Sequence, residues 1–495
     1  MALDTTTVPL ADPSLLRDQA YVAGRWCQAD DGRTFPVTNP ASGEVLATIP
    51  RMGAAETRRA IDAAAAAFES WRDRPAAERA ALLRRMRDEM VAHAEDLALL
   101  LTLEQGKPLA ESRAEVAYAA AFLEWFGEEA KRIYGDIIPS PHADKRILVS
   151  KHPIGVCAGI TPWNFPSAMV TRKAAPALAV GCTMVLKPAE QTPLSALAVA
   201  ALAERAGLPP GVLSIVTGDA DDAPAIGMEM TSNRVVRKLG FTGSNEVGKL
   251  LMRQCSDQVK NVSLELGGNA PFIVFDDADL DEALAGALLC KFRNSGQTCI
   301  TANRILVQDA VHDEFLERFV RGASELVVGE GTDPASKVGP LIDRPAFEKV
   351  SRHVADAVDR GAELLLGGRA HERGGTFYAP TVLDGVSLDA HMSREETFGP
   401  VAGIHRFGEE DEAIQIANDT PYGLAGYFYS RDVGRIFRVS ERLEYGILGI
   451  NTGFISVEVA PFGGVKESGI GREGSKYGVD DWIETRYLSL GGIDR

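Results

Sequence analysis

Residues 183–207, TMVLKPAEQTPLSALAVAALAERAG, decide the fold class. Thr183 to Leu186 form a short apolar, β-favouring run that stops at the turn Lys187-Pro188-Ala189-Glu190. Thr192 is then placed to cap a helix, Pro193 suits its first position, and Gly207 lies near its end. The next strand candidate, Leu213 to Val216, follows at once, so the segment reads as a βαβ unit in a parallel sheet. Working outward, Val235 to Phe241 reads as a strand leading through Thr242-Gly243-Ser244 into a helix predicted over Glu246–Gln254. A second α/β unit is predicted to begin with strands Val262–Leu266 and Pro271–Phe275. A helix from Asp279 to about Phe292 follows, ending in a polar, glycine-containing loop that carries Cys299. Upstream, the alanine-rich Ala60–Ala67 reads as helix, and the first 130 residues are expected to be mainly helical, with a break around Pro75. Arg146–Lys151 and Trp482–Leu490 alternate like strands and are candidates to pair at an edge.

A chain of 495 residues has room for two or three domains. No apolar run reaches the ~20 residues of a membrane span, and Met1–Leu10 lacks the basic flank and apolar stretch of a signal peptide. The expectation is a cytoplasmic protein with no membrane partner. The net charge of -17 would repel a phosphate backbone, which argues against nucleic acid. Six scattered cysteines, without a CxxC pair or zinc-like His/Cys spacing, predict neither a disulfide framework nor a metal site.

Four segments carry chemistry. In Phe292–Cys299, FRNSGQTC, small and polar residues precede a lone cysteine, so a loop leaves the thiol accessible. Backbone N–H groups there can lower its pKa and receive an oxyanion. A cysteine taken at random is more often buried on a strand; the polar loop favours a nucleophile. Glu265, in Glu265-Leu266-Gly267-Gly268-Asn269, stands at a strand end before two glycines and can act as a general base, although most such carboxylates are merely solvated. In Thr161-Pro162-Trp163-Asn164-Phe165-Pro166 two prolines fix a turn, leaving Asn164 able to offer its amide to developing charge; the plainer alternative is a rigid apolar turn. Lys187 and Glu190 on one strand end, with Gly243 and Ser244 on another, suit a dinucleotide, with the ribose on the first pair and the pyrophosphate on the second. The usual GxGxxG is absent.

Taken together, TPWNFP, KPAE, FTGS, ELGG, GQTC and EETFGP, in this order over nearly the whole chain, resemble the aldehyde dehydrogenase superfamily. The resemblance implies an α/β fold with a Rossmann-type cofactor domain (1–135 and 157–262), an α/β catalytic domain (263–465) and a small β oligomerisation arm (136–156 and 475–495). It implies Cys299 as nucleophile, passing through a thiohemiacetal and a thioester. Asn164 and the Cys299 N–H would be oxyanion donors, and Glu265 the base that activates the deacylating water. Trp163, Lys187, Pro188, Ala189, Glu190, Gly243, Ser244, Glu396 and Phe398 would contact the cofactor. That cofactor is expected to be NAD, with NADP the alternative: Glu190 would repel a 2′-phosphate, and the nearby Lys187 opposes that inference. Within the superfamily, FPSAMVTRK and FRN are most like succinate-semialdehyde dehydrogenases, which implies Arg172, Arg293 and Ser456 as contacts for the distal carboxylate of the substrate. The alternative for the arginines is a structural ion pair. For the whole chain the alternatives are a glutarate-semialdehyde dehydrogenase, a broader aldehyde dehydrogenase, or a catalytically silent structural protein. Thr301 stands where some relatives carry a second cysteine, so a disulfide switch there is excluded. A homodimer or homotetramer is expected, in which the arm's strand edges are covered.

Overall fold

The structure, a computed structural model, describes residues 8–493; the first seven and last two, which include most of the Met1–Leu10 stretch and the tips of the expected cofactor unit and arm, lie outside the described residues. The strands form two large sheets, a small three-stranded sheet and one strand pair. The first has eight strands in the order Gly469–Ile470, Asn261–Glu265, Val236–Thr242, Val156–Ile160, Thr183–Lys187, Leu213–Ile215, Ala20–Val22, Arg25–Cys27. The five strands from Asn261–Glu265 to Leu213–Ile215 are parallel. From Val156–Ile160 the chain winds outward one way, then returns to lay Val236–Thr242 on the other side, which opens a crevice beyond the carboxyl ends of these two strands.

The predicted βαβ unit is present as the strand Thr183–Lys187 and the helix Pro193–Arg205, with Pro193 at its start and Gly207 beyond its end at φ +84°. Ala60, Ile61 and Ala64 are fully buried on the helix Ala54–Arg72, where the small side chains let it lie close against the sheet; Thr183 Oγ1 donates to the Ala64 carbonyl at 2.9 Å. Helices fill most of residues 54–129, broken at Pro75 as expected. The first fifty residues depart from the helical expectation by forming two strand pairs, Ala20–Val22 with Arg25–Cys27 and Thr34–Thr38 with Val45–Pro50. Such short runs carry little periodicity, and their pairing partners decide them.

The second sheet has seven strands in the order Glu363–Leu366, Thr381–Asp384, Val401–Phe407, Ala302–Gln308, Ala270–Val274, Ala425–Tyr429, Ile447–Ile450. The strand expected to open this unit, Val262–Leu266, instead belongs to the first sheet as Asn261–Glu265, with Thr242 opposite Glu265. Residues 266–269 then cross to Ala270 in the second sheet, so Glu265 and the glycines after it sit at the junction. The edge pairing expected from alternation is realised: Lys145–Pro153 runs antiparallel to Ile483–Gly491, and Asp136–Ile138 completes a three-stranded arm. Among the described residues, no helix is long and apolar enough to cross a membrane, and no cluster of potential metal ligands is found.

Candidate active site

Asp279 caps the helix Leu280–Phe292 by accepting from the N–H groups of Asp281 and Glu282 at 3.1 and 3.3 Å. The chain then turns sharply, with Asn294 at φ +52° and Ser295 at φ +57°, a region that costs about 1–3 kcal/mol per non-glycine residue and persists only when its surroundings hold it. Three contacts do so. The Asn294 N–H donates to Glu111 Oε2 at 2.7 Å, Ser295 Oγ to the Gly339 carbonyl at 3.0 Å, and the Ile342 N–H to Gln297 Oε1 at 3.0 Å. A side chain at Gly296 would collide with the Gly399 carbonyl; glycine lets this loop meet the loop of Glu396 and Phe398. Cys299 is thereby presented on a loop, as expected, just before the strand Ala302–Gln308. The hydroxyls of Thr298 and Thr301 hydrogen-bond to one another, so Thr301 is tied into the loop.

Two cavities meet at Cys299, with Phe165 and Met169 also lining both. The first, about 290 Å³, opens at the crevice of the first sheet and is lined by Trp163, Gly243, Ser244, Glu265, Glu396 and Phe398. The second, about 360 Å³ and mostly apolar, is lined by Tyr118, Arg172, Arg293, Phe454, Ser456 and Phe462. Asn164 borders the first cavity, its side-chain amide donating to the Gln297 carbonyl at 3.1 Å, beside the nucleophile loop.

The two arginines differ. Arg172 is buried; its Nε lies 2.7 Å from Glu473 Oε2 in an ion pair whose angles do not make a hydrogen bond, and its Nη2 has no partner among the described residues. Its guanidinium lies over the Phe462 ring at 3.8 Å. The structural ion-pair alternative thus holds in part for Arg172. It does not hold for Arg293, which forms no ion pair among the described residues and is flanked by the rings of Phe165 and Phe454 at 5.6 and 5.4 Å.

Burial, then the nearby Glu396, push the Cys299 thiol up to about 12, against the pull of Arg172 and Arg293. The expected lowering by loop N–H groups is therefore not realised in the free site, because desolvation dominates. Glu265 is buried, with no hydrogen-bond partner for either carboxylate oxygen among the described residues; burial and the charge of Glu473 raise it well above the usual range. Burial also works against ionisation of Glu473, but Lys173 at 2.6 Å and Arg172 outweigh it and hold that carboxyl low. Of the two buried acids, Glu473 is thus the one drawn towards ionisation and Glu265 the one pushed towards protonation.

The aldehyde dehydrogenase family profile matches residues 26–488. The chain is 61% identical over 484 residues to a glutarate-semialdehyde dehydrogenase of Pseudomonas aeruginosa, covering 98% of this chain and 100% of the relative. It is 60% identical over 482 residues to an NADP-dependent succinate-semialdehyde dehydrogenase of Escherichia coli, covering 97% and 99%. A crystal structure of an NADP-dependent enzyme from Escherichia coli superposes with a TM-score of 0.96 at 60% identity, covering 97% of this chain and 100% of that one. The chain belongs to the aldehyde dehydrogenase family.

As an NAD(P)-dependent aldehyde dehydrogenase it needs a cradle for a dinucleotide, and the residues present fit one. Ser244 caps the helix Asn245–Ser256, accepting from the Val247 N–H at 3.3 Å, and this N-terminus opens beside the first cavity. A Cβ on Gly267 would lie 2.9 Å from Glu396 Oε2, so glycine keeps this wall thin. Trp163 and Phe398 meet edge to face at 5.5 Å. Burial pushes Glu396 up to about 7, and its Oε1 accepts from the Gly268 N–H at 3.3 Å. Lys187, Pro188, Ala189 and Glu190 do not line the Cys299 cavities. Glu190 borders a separate cavity of about 360 Å³ together with Thr38, Gln191 and Asp219, while buried Lys187 donates to the Pro188 carbonyl at 3.1 Å and lies 3.7 Å from Glu190. That separation suits the far end of an extended cofactor.

Sequence reasoning missed Lys173, Glu473, Lys107 and Glu115. Lys173 lies inside FPSAMVTRK, quoted for Arg172, and nothing local marks its contact with Glu473 across 300 residues of chain.

Proposed function

We propose that this dehydrogenase oxidises short aldehydes with a carboxylate at the far end, succinate semialdehyde foremost and glutarate semialdehyde as the nearest rival. One observation carries the reading: Arg172 and Arg293, the second without an acidic partner, converge with Ser456 on the cavity that ends at Cys299. An anionic end would satisfy the unpartnered Arg172 Nη2 and the free Arg293 fork, and its methylenes would lie against Phe454 and Phe462. One methylene more or less is worth about 1–3 kcal/mol, so the two semialdehydes are separated by the fit of this cavity alone.

In the proposed chemistry Cys299 gives up its thiol proton to solvent, the thiolate adds to the aldehyde carbon as the carbonyl double bond opens, and the oxyanion is received by the Asn164 amide and the Cys299 N–H. When bound, NAD(P) supplies the hydride acceptor, and loss of hydride leaves a thioester on Cys299. Water then attacks the thioester carbon as Glu265 takes its proton, the carbon–sulfur bond breaks, and the dicarboxylate leaves. The raised proton affinity of Glu265 makes it an effective acceptor once ionised. When bound, the cofactor would be held at its nicotinamide end by Trp163, Glu396 and Phe398, at its pyrophosphate by Gly243 and Ser244, and at the ribose of its far end by Lys187, Pro188, Ala189 and Glu190, with NAD favoured by Glu190.

On the same reading, residues 1–135 and 157–262 bind the cofactor, 263–465 act on the substrate, and 136–156 with 475–495 form an oligomerisation arm. The exposed Ile137, Tyr487 and Leu490 on that arm support a homodimer or homotetramer, working in the cytoplasm. The test is turnover of succinate semialdehyde, glutarate semialdehyde, butanal and benzaldehyde with NAD and NADP, beside a Cys299→Ala control. Preference for the two carboxylated aldehydes, lost in the control, is expected; equal or better turnover of butanal or benzaldehyde would overturn the substrate reading.

A further inference from the structure

We infer that Lys107 is a positioning residue for the oxidation, holding the Asn164 turn in register with the nucleophile loop; this rests on the reading of Asn164 as an oxyanion donor. Lys107 lies between the helices Ala94–Gln105 and Leu109–Glu129, and its side chain is wholly buried. An ammonium group taken out of water is costly unless every donor finds a partner. Here Nζ lies 2.7 Å from Glu115 Oε2, donates to the Asn164 carbonyl at 2.6 Å, and sits 3.9 Å from the centre of the Phe165 ring. The charge is thus spent on the turn that carries Asn164.

The other contacts point the same way. Glu115 Oε1 accepts from the Ser167 and Ala168 N–H groups at 3.0 and 3.2 Å, which anchors the start of the helix Ala168–Val180 that carries Arg172. Asn294 Nδ2 donates to the same Asn164 carbonyl at 3.0 Å. The Asn294 N–H in turn is held by Glu111, one helical turn before Glu115 on the same helix. One helix face therefore grips both loops that must stay aligned: Glu111 the loop of Cys299, and Lys107 with Glu115 the loop of Asn164. With its carbonyl fixed by two donors, the Asn164 peptide cannot rotate, and its side-chain amide stays by the Gln297 carbonyl.

A double-mutant cycle separates this role from that of a merely structural ion pair. Lys107→Met is expected to lower kcat about 10- to 100-fold, the cost of misplacing a reacting group by about an ångström. KM and the NADH dissociation constant, read by fluorescence titration, should move less than about threefold. In the Asn164→Ala background the same change should alter kcat by less than about threefold, because the group it positions is already gone. If Lys107→Met does not fold, Glu115→Gln enters the same cycle, since it keeps an acceptor for Ser167 and Ala168 while loosening the ammonium. Unchanged kcat in the single variant, or losses that multiply in the double variant, would overturn the role of Lys107. Wild-type kcat in Asn164→Ala alone would remove the oxyanion reading beneath it.

Discussion

Replacing Arg293 by Met tests the substrate reading with the least disturbance to the fold. Met keeps the apolar stem and deletes the fork. Because Arg293 has no acidic partner among the described residues, no carboxylate is stranded by the change. The loss of its contacts with Phe165 and Phe454 should cost about 1 kcal/mol or less. Arg172→Met would be less clean, since it removes one of the two cations that hold Glu473 ionised, and breaking a buried pair costs about 3–5 kcal/mol. If the Arg293 fork holds the distal carboxylate, the variant forfeits a charge-assisted hydrogen bond worth about 1.5–3 kcal/mol, which is roughly 10- to 150-fold in kcat/KM for succinate semialdehyde. Butanal has no anionic end and should change less than about threefold. The assay is initial-rate formation of reduced cofactor for both aldehydes, with the unfolding midpoint recorded alongside. Equal losses for the two aldehydes, or no loss for the semialdehyde, would refute the reasoning.

Glu265→Gln should leave the hydride step working and block thioester hydrolysis, so that rapid mixing gives a burst of about one reduced cofactor per active site before a steady state slowed about 10²- to 10⁴-fold; a slow first turnover without a burst would contradict the assignment. In the free enzyme, alkylation of Cys299 by iodoacetamide should climb about tenfold per pH unit from pH 7 to 10, because the thiol is pushed up to about 12 and only the thiolate reacts. A plateau below pH 9, followed by peptide mapping against the other cysteines, would show a thiol already ionised. His405 is lowered from 6.5 to about 4 by burial and by Arg304, so it stays neutral in the fold while the unfolded chain binds a proton below about 6.5. Its contribution is present in full above that pH and lost as pH falls towards 4, roughly 3 kcal/mol in all. Urea unfolding of His405→Gln should therefore lose part of the wild-type slope between pH 6.5 and 4, and identical slopes would exclude the mechanism.

Much of the site was legible because it depends on local chemistry. The polar run before Cys299, the proline-fixed turn around Asn164 and the small residues after Thr242 each announce a loop or a close approach, and the first cavity brings these together. Arg172, Arg293 and Ser456 likewise line one cavity. Lys107 was not legible: in sequence it is one lysine between two helices, and only burial against Asn164 and Glu115 gives it a task.

By itself the sequence determined the alternation of strand and helix, hence a parallel sheet, and the placement of Cys299 on a turn, since both follow from backbone preferences within a few residues. Tertiary structure decided which sheet receives Asn261–Glu265, because a strand's periodicity says which faces are buried and not which neighbour supplies its hydrogen bonds. It also decided that Glu473 lies against Lys173 and Arg172, which draw it towards ionisation, while burial and Glu473 push Glu265 towards protonation. Proton affinity is set by desolvation and by charges brought near from distant parts of the chain, and neither exists until the chain has folded.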